Sequence, residues 1–78
     1  MPTGQYERPY QRIAADLRFK IESGRWQPGD RLPPLVQLRK QYEASHNTVI
    51  RAVRLLEDDG LVKGETGSGI YVLGEDQG

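Results

Sequence analysis

Cysteine is absent from this sequence of 78 residues, and histidine occurs only once. Without cysteine the chain can form no disulfide, no thiolate metal site and no cysteine nucleophile. A single histidine cannot build a histidine-rich metal site either. A chain this short also leaves little room for a cleft lined by several catalytic groups. We therefore expect a binding module that is not an enzyme, with no cofactor, no metal and no small-molecule site within this chain.

Long hydrophobic runs and a net charge are missing as well. The apolar runs span only a few residues, whereas a helix that crosses a bilayer needs about 20. The first five residues lack the basic and then apolar pattern of a secretion signal. These absences predict a soluble cytoplasmic protein without a membrane partner. Because 11 Lys and Arg balance 11 Asp and Glu, we expect weak non-specific attraction to nucleic acid.

Apolar residues recur at helical spacing in three segments of the chain. The helices are predicted at residues 9–23, 34–42 and 46–59. Pro9 suits the first position of a helix, and Gly24 suits the end of one. Ser45 is a candidate N-cap, because its hydroxyl can accept a hydrogen bond from an otherwise unpaired backbone N–H. Gly60 occupies the matching C-terminal capping position of the third helix.

Two short strands are predicted after the third helix, at Leu61–Lys63 and Ile70–Leu73. The segment between them, Gly64–Gly69, has three glycines in six residues and is predicted to be a hairpin loop. Between the first two helices, proline and glycine are too frequent for a helix. Arg31 and Leu32 form at most a very short strand there.

The order of these elements indicates the fold. Two helices joined by the three-residue turn Glu43–Ser45, with a glycine-tipped hairpin directly after the second, are typical of a winged helix-turn-helix. The predicted fold class is mainly α with a small β-hairpin, built as a three-helix winged helix-turn-helix. We predict the folded domain at residues 9–73, a flexible arm at residues 1–8 and a frayed tail at residues 74–78.

Four segments carry a resemblance to a known family. They are Tyr10-Gln-Arg-Ile-Ala, Gly24-x-x-x-Pro-Gly-Asp-Arg-Leu-Pro33, Ser45-x-x-Thr48-Val49-x-x-Ala52-x-x-x-Leu56-x-x-x-Gly60-Leu61-Val62 and Gly67-x-Gly69-x-Tyr71-Val72. Together they resemble the N-terminal DNA-binding domain of GntR-type transcriptional regulators. The resemblance implies sequence-specific binding of a double-stranded DNA operator, and repression of transcription in a bacterial cytoplasm. It also implies a C-terminal domain that senses a small molecule and drives dimerisation.

The sequence departs from that family at positions that normally meet DNA. Members usually carry Ser-Glu-Arg after the Leu-Pro pair, where this chain has Pro34–Val36. They usually carry arginine at the positions of His46 and Ile50, and a small residue or glycine at Glu43. Three arginines that typically contact DNA are therefore absent. The resemblance consequently implies DNA binding without implying a particular operator sequence.

The outer face of the third helix is the predicted DNA-contacting surface. At about 100° per residue, its polar and basic side chains lie opposite an apolar face of Val49, Ala52, Val53 and Leu56. The predicted DNA-binding residues of this helix are Ser45, His46, Asn47, Thr48, Ile50, Arg51 and Arg54. Asn47 can pair with adenine, and Ile50 suits a thymine methyl group.

The hairpin tip supplies three more candidates, Thr66, Gly67 and Ser68. Glycine lets backbone N–H groups come close to a phosphate, although turns need glycine for their own geometry too. Each candidate also has a purely structural interpretation, because charged outer helix faces are usually just solvated and Ser45 can be only a cap. The major groove contact is predicted for helix 46–59, and the backbone or minor groove contact for residues 64–69.

The alternative function is a winged helix that binds another protein. In that interpretation Leu35, Val36 and Ile50 form an exposed apolar patch in place of the missing arginines. A homodimer is a hypothesis. If the chain is a naturally short member without the C-terminal domain, the candidate dimer interfaces are the arm before Pro9, the first helix and Trp26.

Overall fold

The computed structural model describes residues 8–65 and 69–74. Three helices precede a two-stranded antiparallel hairpin: α1 (Pro9–Glu22), α2 (Leu35–Tyr42), α3 (His46–Asp58), β1 (Val62–Glu65) and β2 (Gly69–Val72). This arrangement confirms the predicted fold class, which is mainly α with a small β-hairpin. None of the described helices is long and apolar enough to cross a membrane.

The predicted helices are confirmed, although their ends are displaced by one residue. Pro34 is the N-cap of α2 and not its first residue, while α1 and α3 end at Glu22 and Asp58. The cap predicted for α3 is present, because the Ser45 hydroxyl accepts a hydrogen bond from the backbone N–H of Thr48 at 3.2 Å. This bond satisfies one of the N–H groups that a helix start leaves unpaired.

The hairpin is longer than predicted, so the predicted loop at residues 64–69 is wrong at its two ends. Gly64 pairs with Ile70, and Glu65 pairs with Gly69. The strand extends because α3 anchors it: the Glu57 carboxylate accepts a hydrogen bond from the backbone N–H of Gly64 at 3.0 Å. Sequence periodicity carries no information on this contact between two elements.

The connector, residues 23–34, supplies the very short strand that was predicted at Arg31 and Leu32. Arg31 forms a single antiparallel bridge with Tyr71 of β2. The backbone N–H of Leu32 donates to the carbonyl of Ile70 at 2.8 Å. The connector therefore lies along the edge of β2, beside the hairpin.

The hydrophobic core lies where the three helices meet the hairpin and the connector. Its buried residues are Ile13, Ala14, Leu17, Leu32, Leu38, Val49, Ala52, Val53, Leu56, Val62 and Val72. The whole apolar face predicted for α3 is among them, which confirms that face. Burial of this face against α1, α2 and β1 fixes the rotation of α3, so its opposite face points away from the domain.

A polar cluster joins α1 to α2. The Tyr42 hydroxyl donates a hydrogen bond to Asp16, and Lys20 lies 3.4 Å from the same carboxylate. The Tyr42 bond, assisted by Lys20, lowers the pKa of Asp16. Burial, followed by the bond to Asp16, raises the pKa of Tyr42. The Lys20 ammonium also lies over the Trp26 ring, 5.5 Å from its centroid.

Candidate nucleic-acid interface

The outward face of α3 carries the predicted polar and basic candidates. His46 and Asn47 at its start and Arg51 and Arg54 further along are all exposed. The structure therefore brings these four side chains to one side of one helix. Such a face offers donors and acceptors near the helix start, and cations about two turns later.

The two hydroxyls at the start of α3 bond to each other. The Ser45 Oγ lies 2.9 Å from the Thr48 Oγ1, and it also accepts from the Thr48 backbone N–H. Ser45 is exposed, whereas Thr48 is half-buried on the side of α3 that faces α1. The capping role of Ser45 is confirmed, and a phosphate bound at this helix start remains a prediction.

Arg51 is held in place by α1. Its guanidinium lies over the ring of Tyr10, with 4.3 Å between the guanidinium carbon and the ring centroid. Tyr10 is half-buried, and one side of its ring packs against the hydrophobic core. The other side of the Tyr10 ring contacts the Arg51 guanidinium. Spacing within one helix could not predict this contact, because it joins α1 to α3.

Ile50 is half-buried, which corrects the expectation of an exposed side chain. The connector and the hairpin lie along this flank of α3, and Ile50 and Leu35 both line the space between them. Val36 is 59% exposed and borders a different, shallow depression with Arg39 and Lys40. The predicted exposed apolar patch is therefore wrong, because Leu35 and Ile50 are half-buried and the exposed Val36 lies apart from them.

A groove of about 590 Å³ separates α3 from the connector and the hairpin. We call it the α3–wing groove; Ile50 and Arg54 of α3 line one side of it, Arg31 of the connector and Leu35 of α2 a second, and Ile70 the hairpin side. Arg31 was not among the predicted site residues. The alternation of an exposed Arg31 with a buried Leu32 could have indicated that Arg31 points away from the core.

The hairpin-tip candidates Thr66, Gly67 and Ser68 lie outside the described residues. Their contact with DNA therefore stays a prediction. The residues that flank them, Glu65 and Gly69, pair with each other at the last described position of the hairpin, and both line the α3–wing groove.

The sequence profile of the bacterial regulatory proteins of the gntR family matches residues 9–72. The chain belongs to the GntR family. The match covers the three helices and both strands, and the segment is the DNA-binding domain of a GntR-family transcriptional regulator. Proteins of this family are transcriptional regulators and not enzymes.

Relatives agree with this assignment. The HTH-type transcriptional regulator YydK of Bacillus subtilis is 41% identical over 63 residues, which cover 81% of this chain and 27% of YydK. The Uxu operon transcriptional regulator of Escherichia coli is 39% identical over 67 residues, or 86% of this chain and 26% of the regulator. The chain thus spans about a quarter of the length of the curated relatives it matches.

Solved structures show the same fold. The YydK structure superposes with a TM-score of 0.82 at 36% identity, over 92% of this chain and 32% of YydK. The DNA-binding domain of AraR, solved in complex with operator ORR3, superposes with a TM-score of 0.80 at 25% identity. That likeness covers 82% of this chain and 77% of the AraR chain.

Proposed function

We propose that this domain binds a double-stranded DNA operator sequence-specifically, with α3 in the major groove, and that the regulator containing it represses transcription in a bacterial cytoplasm. One observation carries the proposal. The face of α3 opposite its buried side exposes His46, Asn47 and Arg54 together. The DNA-binding domain of AraR, which has this fold, is solved in complex with an operator, and this supports operator binding by the present domain.

Each exposed side chain has a chemical role in this proposal. Asn47 pairs with an adenine edge, and His46 contacts guanine or a phosphate. Arg54, two turns further along, reaches a phosphate or a base. Ile50 offers the exposed part of its side chain to a thymine methyl group. Arg51 contributes charge from its position over Tyr10.

Repression follows from position on the DNA, since a bound regulator occludes a promoter that overlaps its operator. The Histidine utilization repressor of Klebsiella aerogenes, 38% identical over 63 residues, is a repressor by name. With zero net charge, a single domain neutralises few phosphates and binds weakly at physiological salt. We therefore propose that the regulator binds as a homodimer to two half-sites.

The test is selection of binding sequences from a random duplex pool at two salt concentrations. The proteins are the wild type, an Arg51→Ala, Arg54→Ala double variant and an Arg25→Ala control. Arg25 is exposed in the connector, and its charge acts on Asp16 of α1, away from the outward face of α3. We expect the wild type and the control to enrich one short motif that the double variant does not.

Dimerisation is tested by the same selection with a covalently linked dimer of the domain. Enrichment of a two-half-site motif by the linked dimer, and of a single half-site by the monomer at low salt, supports the proposal. If the linked dimer also selects no sequence, the DNA-binding proposal is abandoned in favour of a protein partner.

A further inference from the structure

Arg31 lies beside the hairpin, at the edge of the α3–wing groove. It is an exposed residue of the connector, bridged through its backbone to Tyr71. Its guanidinium lies against Gly69, where an added Cβ would come within 2.6 Å of the Arg31 Nε. The missing side chain at position 69 therefore makes room for this guanidinium at the edge of the α3–wing groove.

Within the described part of the chain, the two arginines of the groove lack a partner, while the two nearby carboxylates each have one contact. Among residues 8–65 and 69–74, neither Arg31 nor Arg54 has an ion-pair or hydrogen-bond partner for its guanidinium. Glu57 accepts the Gly64 backbone N–H at 3.0 Å, and Glu65 lies 3.4 Å from Lys63. The groove therefore offers an anion two guanidinium groups that have no partner among the described residues, beside the carboxylates of Glu57 and Glu65.

The position of the groove indicates which anion would bind there. In the proposed complex α3 enters the major groove, and the hairpin contacts the neighbouring backbone or minor groove. One sugar–phosphate strand separates these two grooves of the duplex, so it must pass between α3 and the hairpin. That is the position of the α3–wing groove, with Arg54 on its α3 side and Arg31 on its connector side.

We propose that Arg31 is a DNA-contacting residue, which binds a phosphate of the strand that passes along the α3–wing groove. The inference rests on the proposed function and adds a residue to it. Arg31 supplies affinity and orientation, and it leaves base selection to α3, because a phosphate contact carries no sequence information.

The experiment separates the charge of Arg31 from its packing against Gly69. Arg31→Lys keeps the charge, whereas Arg31→Met keeps a long apolar stem without it. Arg25→Met in the same connector is the matched control, since Arg25 does not line the groove. Each protein is titrated by fluorescence anisotropy against the selected duplex and a scrambled duplex, at several salt concentrations, and unfolding in urea verifies the fold.

The association constant K falls as salt rises, and the slope of log K against log[salt] measures the number of phosphate contacts. We expect this slope to be less steep by about 0.9 in Arg31→Met, which is the value for one lost contact. Between about 50 and 200 mM salt the wild type should then lose roughly threefold more affinity than Arg31→Met. Affinity for the selected and scrambled duplexes should fall by the same factor. Arg31→Lys and Arg25→Met should retain the wild-type slope.

Three results would overturn the inference, and they are distinguishable. If Arg31→Met matches Arg25→Met while Arg54→Ala loses affinity, Arg31 is no DNA contact and the proposed function stands. If Arg31→Lys loses as much of the slope as Arg31→Met, packing and not charge is its role. Failure of the wild type and of the linked dimer to bind any duplex would instead reject the proposed function together with this inference.

Discussion

The arginines on the two flanks of α3 differ in their contacts. On the α1 flank, Arg51 lies over Tyr10, and Arg18 of α1 forms an ion pair with Asp59 at the end of α3. On the wing flank, which faces the α3–wing groove, Arg31 and Arg54 have no acidic partner within the described part of the chain.

This difference separates stability from binding within one small domain. The contacts of Arg18 and Arg51 stabilise the folded domain, and an ion-paired cation such as Arg18 must also give up its partner before it binds a phosphate. Arg31 and Arg54 have no such contact to lose within the described residues. We therefore expect substitutions on the α1 flank to change the free energy of unfolding. Substitutions on the wing flank should change the affinity for DNA and its salt dependence.

The largest expected effect tests the packing of the α1 flank. Leu17 is completely buried, so Leu17→Ala should lower the free energy of unfolding by about 3 kcal/mol. Equilibrium unfolding in urea measures this change. Phe19→Ala on the same helix is the control, because Phe19 is 64% exposed and its loss should cost at most about 0.5 kcal/mol. Equal losses would contradict the described rotation of α1.

The next effect concerns the polar cluster that joins α1 to α2. Tyr42→Phe removes the hydrogen bond to Asp16 and should lower the free energy of unfolding by about 1 kcal/mol at neutral pH. Tyr10→Phe is the control, since it keeps the ring under Arg51 and should change little.

The same pair of variants tests the pH dependence. The pKa of Asp16 is lowered in the folded state, so its contribution is present above its unfolded pKa and is lost as pH falls through the folded value. The pKa of Tyr42 is raised, so its contribution is lost only as pH rises through that folded value. The difference between wild type and Tyr42→Phe should therefore shrink from about pH 7 to about pH 3. A constant difference would contradict the Asp16 contact.

Periodicity within one element predicted most of the fold. Spacing of apolar residues found all three helices, and the buried set of α3 matches its predicted face. The Ser45 cap was predictable because it depends on residues three apart. The strand ends were not, because the anchor of β1 is a carboxylate on α3, seven residues earlier in the chain.

The site was predictable only where it lies on a single helix. The spacing of about 100° per residue placed Asn47 and Arg54 on the outer face of α3, and both side chains are exposed. It could not show that Tyr10 contacts Arg51, that Ile50 lines a groove shared with the hairpin, or that Arg31 lies against Gly69. Each of these facts depends on how separate elements meet.

A smaller effect compares the two arginines of α3 directly. Arg51→Ala removes a cation–π contact and should lower the free energy of unfolding by about 0.5–1 kcal/mol. Arg54→Ala breaks no contact among the described residues, so its free energy of unfolding should equal that of the wild type. Its affinity for the operator should fall more than that of Arg51→Ala. Urea unfolding and anisotropy titration of both variants measure these changes. The reverse order in both assays would refute the division of α3 into two flanks.

The smallest effect lies in the turn between α2 and α3, where Glu43 has φ 52 and ψ 48. This left-handed conformation is strained for a residue with a Cβ and costs glycine nothing. Glu43→Gly should raise the free energy of unfolding by about 0.5 kcal/mol once the extra freedom of the unfolded chain is deducted. For a domain of this size the melting temperature should then rise by about 2–4 °C.

Glu22→Gly is the matched control for this substitution, because it removes the same side chain from the right-handed backbone at the end of α1. Glycine in a helix costs up to about 1 kcal/mol, so this variant should melt at a lower temperature than the wild type. Opposite shifts in the two variants would locate the strain in the backbone of the turn. A rise in both variants would instead assign the effect to the lost carboxylate charge. A fall in both would show that the freedom glycine adds to the unfolded chain outweighs any strain at Glu43.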